Sequence, residues 1–396
     1  MKHELLYQTQ ADFAAAQGNS GNVTSITPGV AYVVETNGVV GYNKRWDTLL
    51  IEYQVDDVSS PTKIYNSASV KNNLKEIIVD KTHIPASAVT NTYQFSGAGK
   101  YRIMFRYTSL TEIPVSAFTA CSTIIDFKLP KTVTTIQSYA FANCSKLGPK
   151  LEIKEHITTL NRNAFSGCRS IKTLVIPSTA TTLASYVFDG CRGLHDVFVN
   201  SNVLAGVFSR SGDGFGVLHV GGNLTRPSAS ATDNVGCDYN KVIIDGDLSN
   251  AGSYHYSTSD NMEVLKIGGN YSHTAGNPPF LYTYNSATYR DGQAHLTFIE
   301  VMGTITGALN PNYNGASTIG ANWILHLGYD DIAGTPADAT VTGGNGRRLY
   351  KIYVGDGSSE EHDQEVLNKY LADSNWSSYA SKLDLWYNYH GEYREE

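Results

Sequence analysis

A short phrase, Phe-x-x-Cys, occurs four times in the middle of the chain at nearly constant spacing. Successive phenylalanines are 23, 24 and 23 residues apart, and the four phrases are Phe118/Cys121, Phe141/Cys144, Phe165/Cys168 and Phe188/Cys191. A period of about 20 to 29 residues is typical of solenoids, in which each unit stacks only on its neighbours. The spacing therefore predicts a fold that grows along one axis.

Each unit also carries a pair of apolar residues separated by one position, which predicts a short strand with one buried face. The pairs are Phe127/Leu129, Leu151/Ile153, Leu174/Ile176 and Val197/Val199. A single unit cannot bury that face alone, whereas stacked units can. The units are therefore expected to pair side by side in a parallel β stack.

After Asn200 the Phe-x-x-Cys phrases stop, but the strand pairs continue. They are Leu218/Val220, Val242/Ile244, Leu265/Ile267, Ile299/Val301, Leu325/Leu327 and Ile352/Val354. Most of these strands end in Gly, which suits a sharp turn. The pattern predicts one continuous sheet that begins at Phe127 and continues through degenerate later units.

The words SAFTACSTIIDFKLPKTVTTIQSYAFANCSKL resemble the BspA-like leucine-rich repeats of bacterial surface antigens, and the resemblance extends from Leu110 to Asn200. It departs from the family pattern at Ile153-Lys154, where the family has an apolar residue followed by Pro. The resemblance implies a leucine-rich-repeat parallel β solenoid that is mainly β. It also implies adhesion or recognition rather than catalysis.

Five segments are predicted. Residues 1–43 form a small N-terminal α+β module, with a helix after Thr9 and a hairpin at Asn37-Gly38. Residues 44–109 form a β-rich linker or N-terminal cap that includes Ile103 and Phe105. Regular repeats occupy 110–200, degenerate repeats 201–357, and a helical and aromatic cap 358–396. The capping box Ser358-x-x-Glu361 predicts a short capping helix near 359–373, and the aromatic residues Trp376, Tyr379 and Trp386 are expected to pack on the last repeat.

Several function classes are disfavoured by composition. The net charge is −7 and no run of Lys or Arg occurs, so nucleic-acid binding is not expected. No stretch of 18 apolar residues predicts a membrane span, and the opening residues lack the apolar region of a secretion signal. The four repeated cysteines are expected to be reduced core residues, with disulfides as the alternative. No catalytic motif, metal-ligand grouping or cofactor fingerprint is present, so no enzyme activity, metal or cofactor is predicted.

The residue between the two buried members of each strand pair must point outward. The resulting candidate binding stripe is Lys128, Glu152, Val175, Phe198, His219, Ile243, Lys266, Glu300, His326 and Tyr353. Three of these residues are apolar or aromatic in the middle of the stripe, more than a solvated face needs. The stripe is expected to meet a receptor, a neighbouring copy or another part of its own chain, and its two histidines are expected to be exposed polar residues. A second candidate site is a long insertion that carries Phe280, Tyr282, Tyr284 and Tyr289.

The segment VTSITPGVAYVVE resembles the start of virion proteins of phages that infect anaerobic gut bacteria. Together with the missing signal, it favours a phage virion protein, such as a fibre or receptor-binding component. The expected partners are other virion proteins through the N-terminal module and a host surface glycan or protein, and a homotrimer is one candidate assembly. The alternatives are a BspA-like bacterial cell-surface adhesin and a structural decoration protein of the particle.

Overall fold

The computed structural model describes residues 3–6, 31–34, 40–42, 46–204, 206–208, 211–226, 239–250, 263–273, 298–306, 323–328, 332 and 349–390. At the N-terminus, β1 (His3–Leu6), β2 (Ala31–Val34) and β3 (Val40–Tyr42) form an antiparallel sheet in that order. Val34 pairs with Val40, the register of a hairpin. The turn at Asn37-Gly38 and the helix predicted after Thr9 lie outside the described residues.

The remaining elements follow one another in short steps. In chain order they are β4 (Asp47–Val55), β5 (Thr62–Lys63), β6 (Leu74–Val79), β7 (Thr82–Pro85), β8 (Thr92–Tyr93), β9 (Gly99–Tyr107), β10 (Glu112–Ile113), β11 (Ile124–Lys128), β12 (Thr135–Ile136), β13 (Lys150–Glu152), β14 (Thr159–Leu160), β15 (Thr173–Ile176), β16 (Thr182–Leu183), β17 (Asp196–Val199), β18 (Val203–Leu204), β19 (Val217–Val220), β20 (Leu224–Arg226), β21 (Lys241–Ile244), β22 (Leu248–Asn250), β23 (Val264–Ile267), β24 (Tyr271–His273), β25 (Phe298–Val301), β26 (Ile305–Thr306), β27 (Trp323–Leu327), β28 (Leu349–Val354), the helix α1 (Glu360–Ala372) and β29 (Leu383–Leu385). Short 3₁₀ turns lie at Ala68–Lys71, Ser377–Tyr379 and Trp386–Asn388.

The protein is a mainly β leucine-rich-repeat solenoid with one helix near its C-terminus. Its largest sheet has ten strands in the order β13-β15-β17-β19-β21-β23-β25-β27-β28-β29, and every neighbouring pair is parallel. Two narrower parallel sheets, β10-β12-β14-β16 and β18-β20-β22-β24-β26, run beside it. The prediction that the strands continue beyond Asn200 is confirmed, because Leu218, Val242 and Leu265 are successive register partners in the ten-stranded sheet.

The start of the sheet was predicted one unit too early. The strand β11, which carries Phe127, pairs antiparallel with β4, in a five-stranded sheet of order β11-β4-β9-β6-β7. This antiparallel sheet also holds Ile103 and Phe105 in β9. The nine-residue strand β4 pairs with one edge of β11. Toward the next unit, the backbone N–H of Gly148 donates to the carbonyl oxygen of Ile125 at 3.1 Å, before β13 begins at Lys150. The ring of Phe127 still packs on that of Phe141, with centroids 4.5 Å apart.

Stacked phenylalanines fill the core of the regular repeats. The rings of Phe118, Phe141, Phe165, Phe188 and Phe208 follow one another at centroid distances of 5.2, 5.5, 5.5 and 5.6 Å, with interplanar angles of 11° or less. The last ring, Phe208, extends the stack one unit beyond the four Phe-x-x-Cys phrases. In that unit Ser211 stands three residues after Phe208, the place that Cys has in the earlier units.

The repeated cysteines are free and buried, as core packing requires. The Sγ atoms of Cys144, Cys168 and Cys191 each donate to a phenylalanine carbonyl of the preceding unit at 3.2, 3.1 and 3.1 Å. Burial raises the pKa of the Cys191 thiol to about 12, so the thiol stays protonated and can donate. Cys237 lies outside the described residues.

The C-terminal helix closes the last unit. Its N-cap is Ser359, one residue after the predicted one, and the Ser359 Oγ accepts from the backbone N–H of His362 at 3.1 Å. Val366, Tyr370 and Trp376 are buried, with Trp376 edge-on to Tyr370 at 5.3 Å. Within the described part of the chain, no helix has the length and apolar character that a membrane crossing requires.

Candidate recognition surface

The candidate stripe lies on the face of the ten-stranded sheet that points away from the core, here called the outer face. From Glu152 to Tyr353 the stripe residues are successive register partners, strand after strand. Lys128 does not join them, because β11 belongs to the antiparallel sheet, where Lys128 pairs with Leu50. The parallel register therefore places the other stripe residues in one continuous row.

The middle of the outer face is apolar and open to solvent. Phe198 is 39% exposed. Val175 is half-buried on the next strand to one side, and Ile243 is half-buried two strands away on the other side, beyond His219. The ring of Phe198 lies edge-on to that of His219, with centroids 6.3 Å apart. A parallel sheet holds these side chains at fixed spacing, which is the kind of rigid platform that recognition surfaces use.

Two stripe residues are covered rather than exposed. His326 is 1% exposed and Tyr353 is 2% exposed. The prediction that His326 is an exposed polar residue is therefore wrong, and Tyr353 is likewise closed to solvent. The reason is local: the C-terminal residues Trp386 and Tyr389 pack over this end of the outer face. The stripe was expected to meet a receptor, a neighbouring copy or another part of its own chain. At this end it meets its own chain.

The charged side chains of the outer face are mostly paired with one another. His195 contacts Asp213 at 2.9 Å and His219 contacts Asp245 at 2.8 Å. Glu300 contacts His326 at 2.9 Å and Lys266 at 3.8 Å. Burial alone would raise the pKa of Glu300, but the hydrogen bond from His326 and the positive charges of His326, Lys266 and Lys241 lower it below its usual value.

The carboxyl groups with resolved pKa shifts do not have the electrostatics of a general acid. A general acid at neutral pH needs a raised pKa. In the described ranges, every carboxyl group with a resolved shift has its pKa lowered by hydrogen bonds or cations, and these groups are Asp56, Asp57, Glu152, Glu300, Asp356 and Asp384. The paired acids Asp56 and Asp57 are exposed, as solvated surface residues are.

Among the residues that the structure describes, one group of three side chains has the spacing of metal ligands. Ligand atoms of Asp356, His362 and Asp363 all lie within 4.8 Å of one another. The Asp363 carboxylate, however, already accepts from the backbone N–H groups of Gly357 at 3.1 Å and Tyr387 at 2.8 Å. Both carboxylate oxygens of Asp363 are therefore already used to join two turns, which is a structural role.

Sequence reasoning missed two backbone rows that shape the sides of the solenoid. One residue before each repeated Ala or Val the backbone is left-handed, at Ser116, Tyr139, Asn163 and Tyr186, with φ between 55° and 66°. A second left-handed row precedes each repeated cysteine, at Ala120, Asn143, Gly167 and Gly190. The glycines and asparagines at these positions were the available signal, because both residue types tolerate positive φ.

A ladder of short polar side chains joins the later units, and it was also missed. The Oδ1 atoms of Asn202, Asn223, Asp247 and Asn270 each accept a backbone N–H of the next unit, from Asn223, Asp247, Asn270 and Thr304 respectively, at 2.7 to 2.9 Å. The signal in the sequence was Asn or Asp directly after a repeated glycine, as at Asn223, Asp247 and Asn270. These hydrogen bonds connect the turns that follow the strands of the ten-stranded sheet, in the units that have no Phe-x-x-Cys phrase.

The second candidate site cannot be compared with the fold, because Phe280, Tyr282, Tyr284 and Tyr289 lie outside the described residues. The described residues have other exposed apolar side chains away from the stripe. Val115, Tyr139, Leu204 and Phe215 are 52%, 44%, 45% and 75% exposed. The guanidinium of Arg162 also lies 4.7 Å from the ring centroid of Tyr186, along the left-handed row.

The repeats match a known family of repeats. Residues 111–210 match the family described as "BspA type Leucine rich repeat region", in six copies. The match reaches Phe208, as the stack of phenylalanine rings does.

A solved leucine-rich repeat protein from Bacteroides ovatus ATCC 8483 is similar to the chain at 14% identity. The alignment covers 70% of this chain and 87% of that one, with a TM-score of 0.27. No curated protein matches the chain. The match to the repeat family covers residues 111–210, about a quarter of the chain.

Proposed function

We propose that the protein is a non-enzymatic adhesin of the BspA-like type, which binds a host surface glycan or protein through the open part of its outer face. The observation that carries the proposal is the in-register row of Val175, Phe198, His219 and Ile243, in which three of four successive residues are apolar. Phe198 is a large aromatic side chain that remains 39% exposed on a rigid sheet. Exposed aromatic residues of this kind commonly provide much of the binding energy at interfaces.

The BspA-type repeats support recognition, and the family resemblance implies a bacterial cell-surface location. The phage virion location, the docking role of residues 1–43 and the homotrimer remain predictions. They concern where the chain is attached and not how it binds. Locating the protein by mass spectrometry in purified phage particles and in bacterial surface fractions distinguishes the two locations.

Binding is tested with the purified protein on a glycan array and on cultured host cells. We expect Phe198→Ala to weaken binding by about tenfold or more, because truncation of a central interface aromatic typically costs about 2 kcal/mol. Val115→Ala is the matched control, since Val115 is also an exposed apolar residue but lies off the outer face. Unchanged binding by Phe198→Ala, or an equal loss in both variants, would contradict the proposal.

The non-enzymatic part has a separate test. Each glycan that binds is incubated with the protein and assayed for reducing ends. We expect no release above the heat-denatured control, because the carboxyl groups of the outer face with resolved shifts have lowered pKa values. Release of reducing sugar that depends on Glu152 or Glu300 would make the protein a glycosidase.

A further inference from the structure

The last described residues of the chain form a strap, defined here as residues 383–390, that turns from the edge of the sheet onto its outer face. The strap begins in β29, which pairs with β28, and then makes a 3₁₀ turn at Trp386–Asn388. The ring of Trp386 lies over His326 at 3.7 Å and 11°, and the ring of Tyr389 lies over Trp386 at 4.3 Å and 13°. Beneath these rings are the apolar residues Phe298 and Tyr353.

The histidine under the strap has an acceptor at each ring nitrogen. His326 Nδ1 lies 2.9 Å from Glu300 Oε2, and Nε2 lies 2.8 Å from the carbonyl oxygen of Gly355. A neutral imidazole has one N–H donor and one lone pair, so it would direct a lone pair at one of these oxygens. Only the imidazolium, which has two N–H donors, satisfies both contacts in a site that is 1% exposed.

The groups around the histidine fit a cation. Glu300 provides a carboxylate that is only 14% exposed, and the Trp386 ring provides a π face at stacking distance. Lys266, 3.8 Å from Glu300, and Lys241 add positive charge on the far side of the carboxylate. On the strap side, Lys351 is paired with Asp384 at 2.6 Å, and the buried Asp363 lies on α1 beside Gly355. His362 of α1 lies 3.6 Å from Asp356.

We propose that His326 is a pH-dependent latch: as an imidazolium it holds the strap on the outer face, and its deprotonation releases the strap and uncovers the apolar surface beneath. Deprotonation would leave two electron pairs facing each other in a buried site and would remove the cation under the indole ring. The docked state binds one more proton than the released state, so rising pH favours release. The strap beyond Leu385 is the part expected to move, because β29 remains paired with β28.

The behaviour of the strap at low pH depends on Glu300. The pKa of Glu300 is lowered in the folded protein. The stability that its carboxylate contributes is therefore fully present above the pKa that Glu300 has in the unfolded chain, and it is lost as pH falls through the lowered folded value. The strap is therefore expected to be docked over a window of pH in which both Glu300 and His326 are charged. Outside that window, on either side, the outer face gains an open aromatic patch.

The test follows Trp386 directly. The protein, which has four tryptophans, is labelled with fluorotryptophan, the Trp386 resonance is assigned with Trp386→Phe, and ¹⁹F spectra are recorded from about pH 5 to about pH 9. We expect the Trp386 resonance to move to a solvent-exposed position as pH rises, while the resonance of the buried Trp376 stays in place and reports an intact cap. His326→Gln is expected to keep Trp386 at the exposed position at every pH.

A matched variant and a second measurement make the result decisive. His219→Gln removes another outer-face histidine with a carboxylate partner, Asp245, and is expected to leave the transition unchanged. Nitrogen NMR of labelled histidine is expected to show both His326 nitrogens protonated while the strap is docked. A constant Trp386 resonance across the titration, a neutral His326 under a docked strap, or loss of the transition in His219→Gln would overturn the proposal.

Discussion

At the scale of the residue, the repeats depend on backbone conformation as much as on apolar side chains. Each regular unit places one residue in the left-handed region just before its cysteine, and the four units use Ala120, Asn143, Gly167 and Gly190 there. An L-residue with a Cβ in this region loses roughly 1 to 2 kcal/mol, a cost that Gly avoids. The Phe-x-x-Cys phrase shows the buried positions of a unit but not this requirement, because a left-handed residue leaves no apolar periodicity.

Two opposite substitutions test that requirement. Gly190→Ala is expected to destabilise the protein by about 1 kcal/mol, since the added Cβ would meet nothing nearer than the Gly167 amide nitrogen at 4.0 Å and only the backbone angle is unfavourable. Ala120→Gly, at an exposed position with φ of 58°, is expected to stabilise by roughly 0.5 kcal/mol, after the greater freedom of Gly in the unfolded chain is subtracted. Urea unfolding measures both, and changes of the same sign in the two variants would show that φ does not decide the effect.

At the scale of the element, much of the solenoid could be predicted from the sequence. The strand pairs from Leu151 to Ile352 were assigned correctly, because alternation and a constant period are direct consequences of one buried face per unit. The exception is β11, where Phe127 follows the same alternation but pairs with Ile51 of β4. Apolar alternation determines which face of a strand is buried and says nothing of which neighbour it pairs with. The choice depends on a partner 70 residues or more earlier, beyond the reach of a local pattern.

The stack of phenylalanine rings is expected to act as a continuous core element. Phe165 is fully buried between Phe141 and Phe188, so Phe165→Ala should destabilise by about 3 to 5 kcal/mol. Phe215→Ala is the control, because that ring is 75% exposed and its removal should change stability by less than about 0.5 kcal/mol. Thermal and urea unfolding followed by circular dichroism measure both. A loss below about 1 kcal/mol for Phe165→Ala would mean that the stack collapses around the gap.

At the scale of the whole molecule, a solenoid must close both ends of its core, and the two ends do so differently. The N-terminal end is met by the antiparallel sheet, where Phe105 lies edge-on to Phe118 at 5.9 Å. The C-terminal end is met by α1 and Trp376, and the strap then continues onto the outer face. The capping helix was predictable from its capping box and apolar face. The cover over His326 and Tyr353 was not, because the strap residues carry no signal of which sheet face they meet.

Truncation can test whether the C-terminal cap prevents association between chains. Residues 358–396 bring Val366, Tyr370 and Trp376 against the last units, each 1% exposed or less, and β29 covers the free edge of β28. Deleting this segment would leave an unpaired parallel edge and an open apolar end, the combination that promotes association between chains. We expect the truncated protein to elute as aggregates in size-exclusion chromatography with light scattering.

Two point variants separate the covered edge from the buried core. Trp376→Ala should keep β29 paired with the edge of β28 and lose about 3 to 5 kcal/mol of stability without aggregating at low temperature. Tyr387→Ala, which removes a ring that is 50% exposed, should behave as the intact protein does. A truncated chain that remains monomeric with an unchanged melting temperature would show that the solenoid closes its core within residue 357.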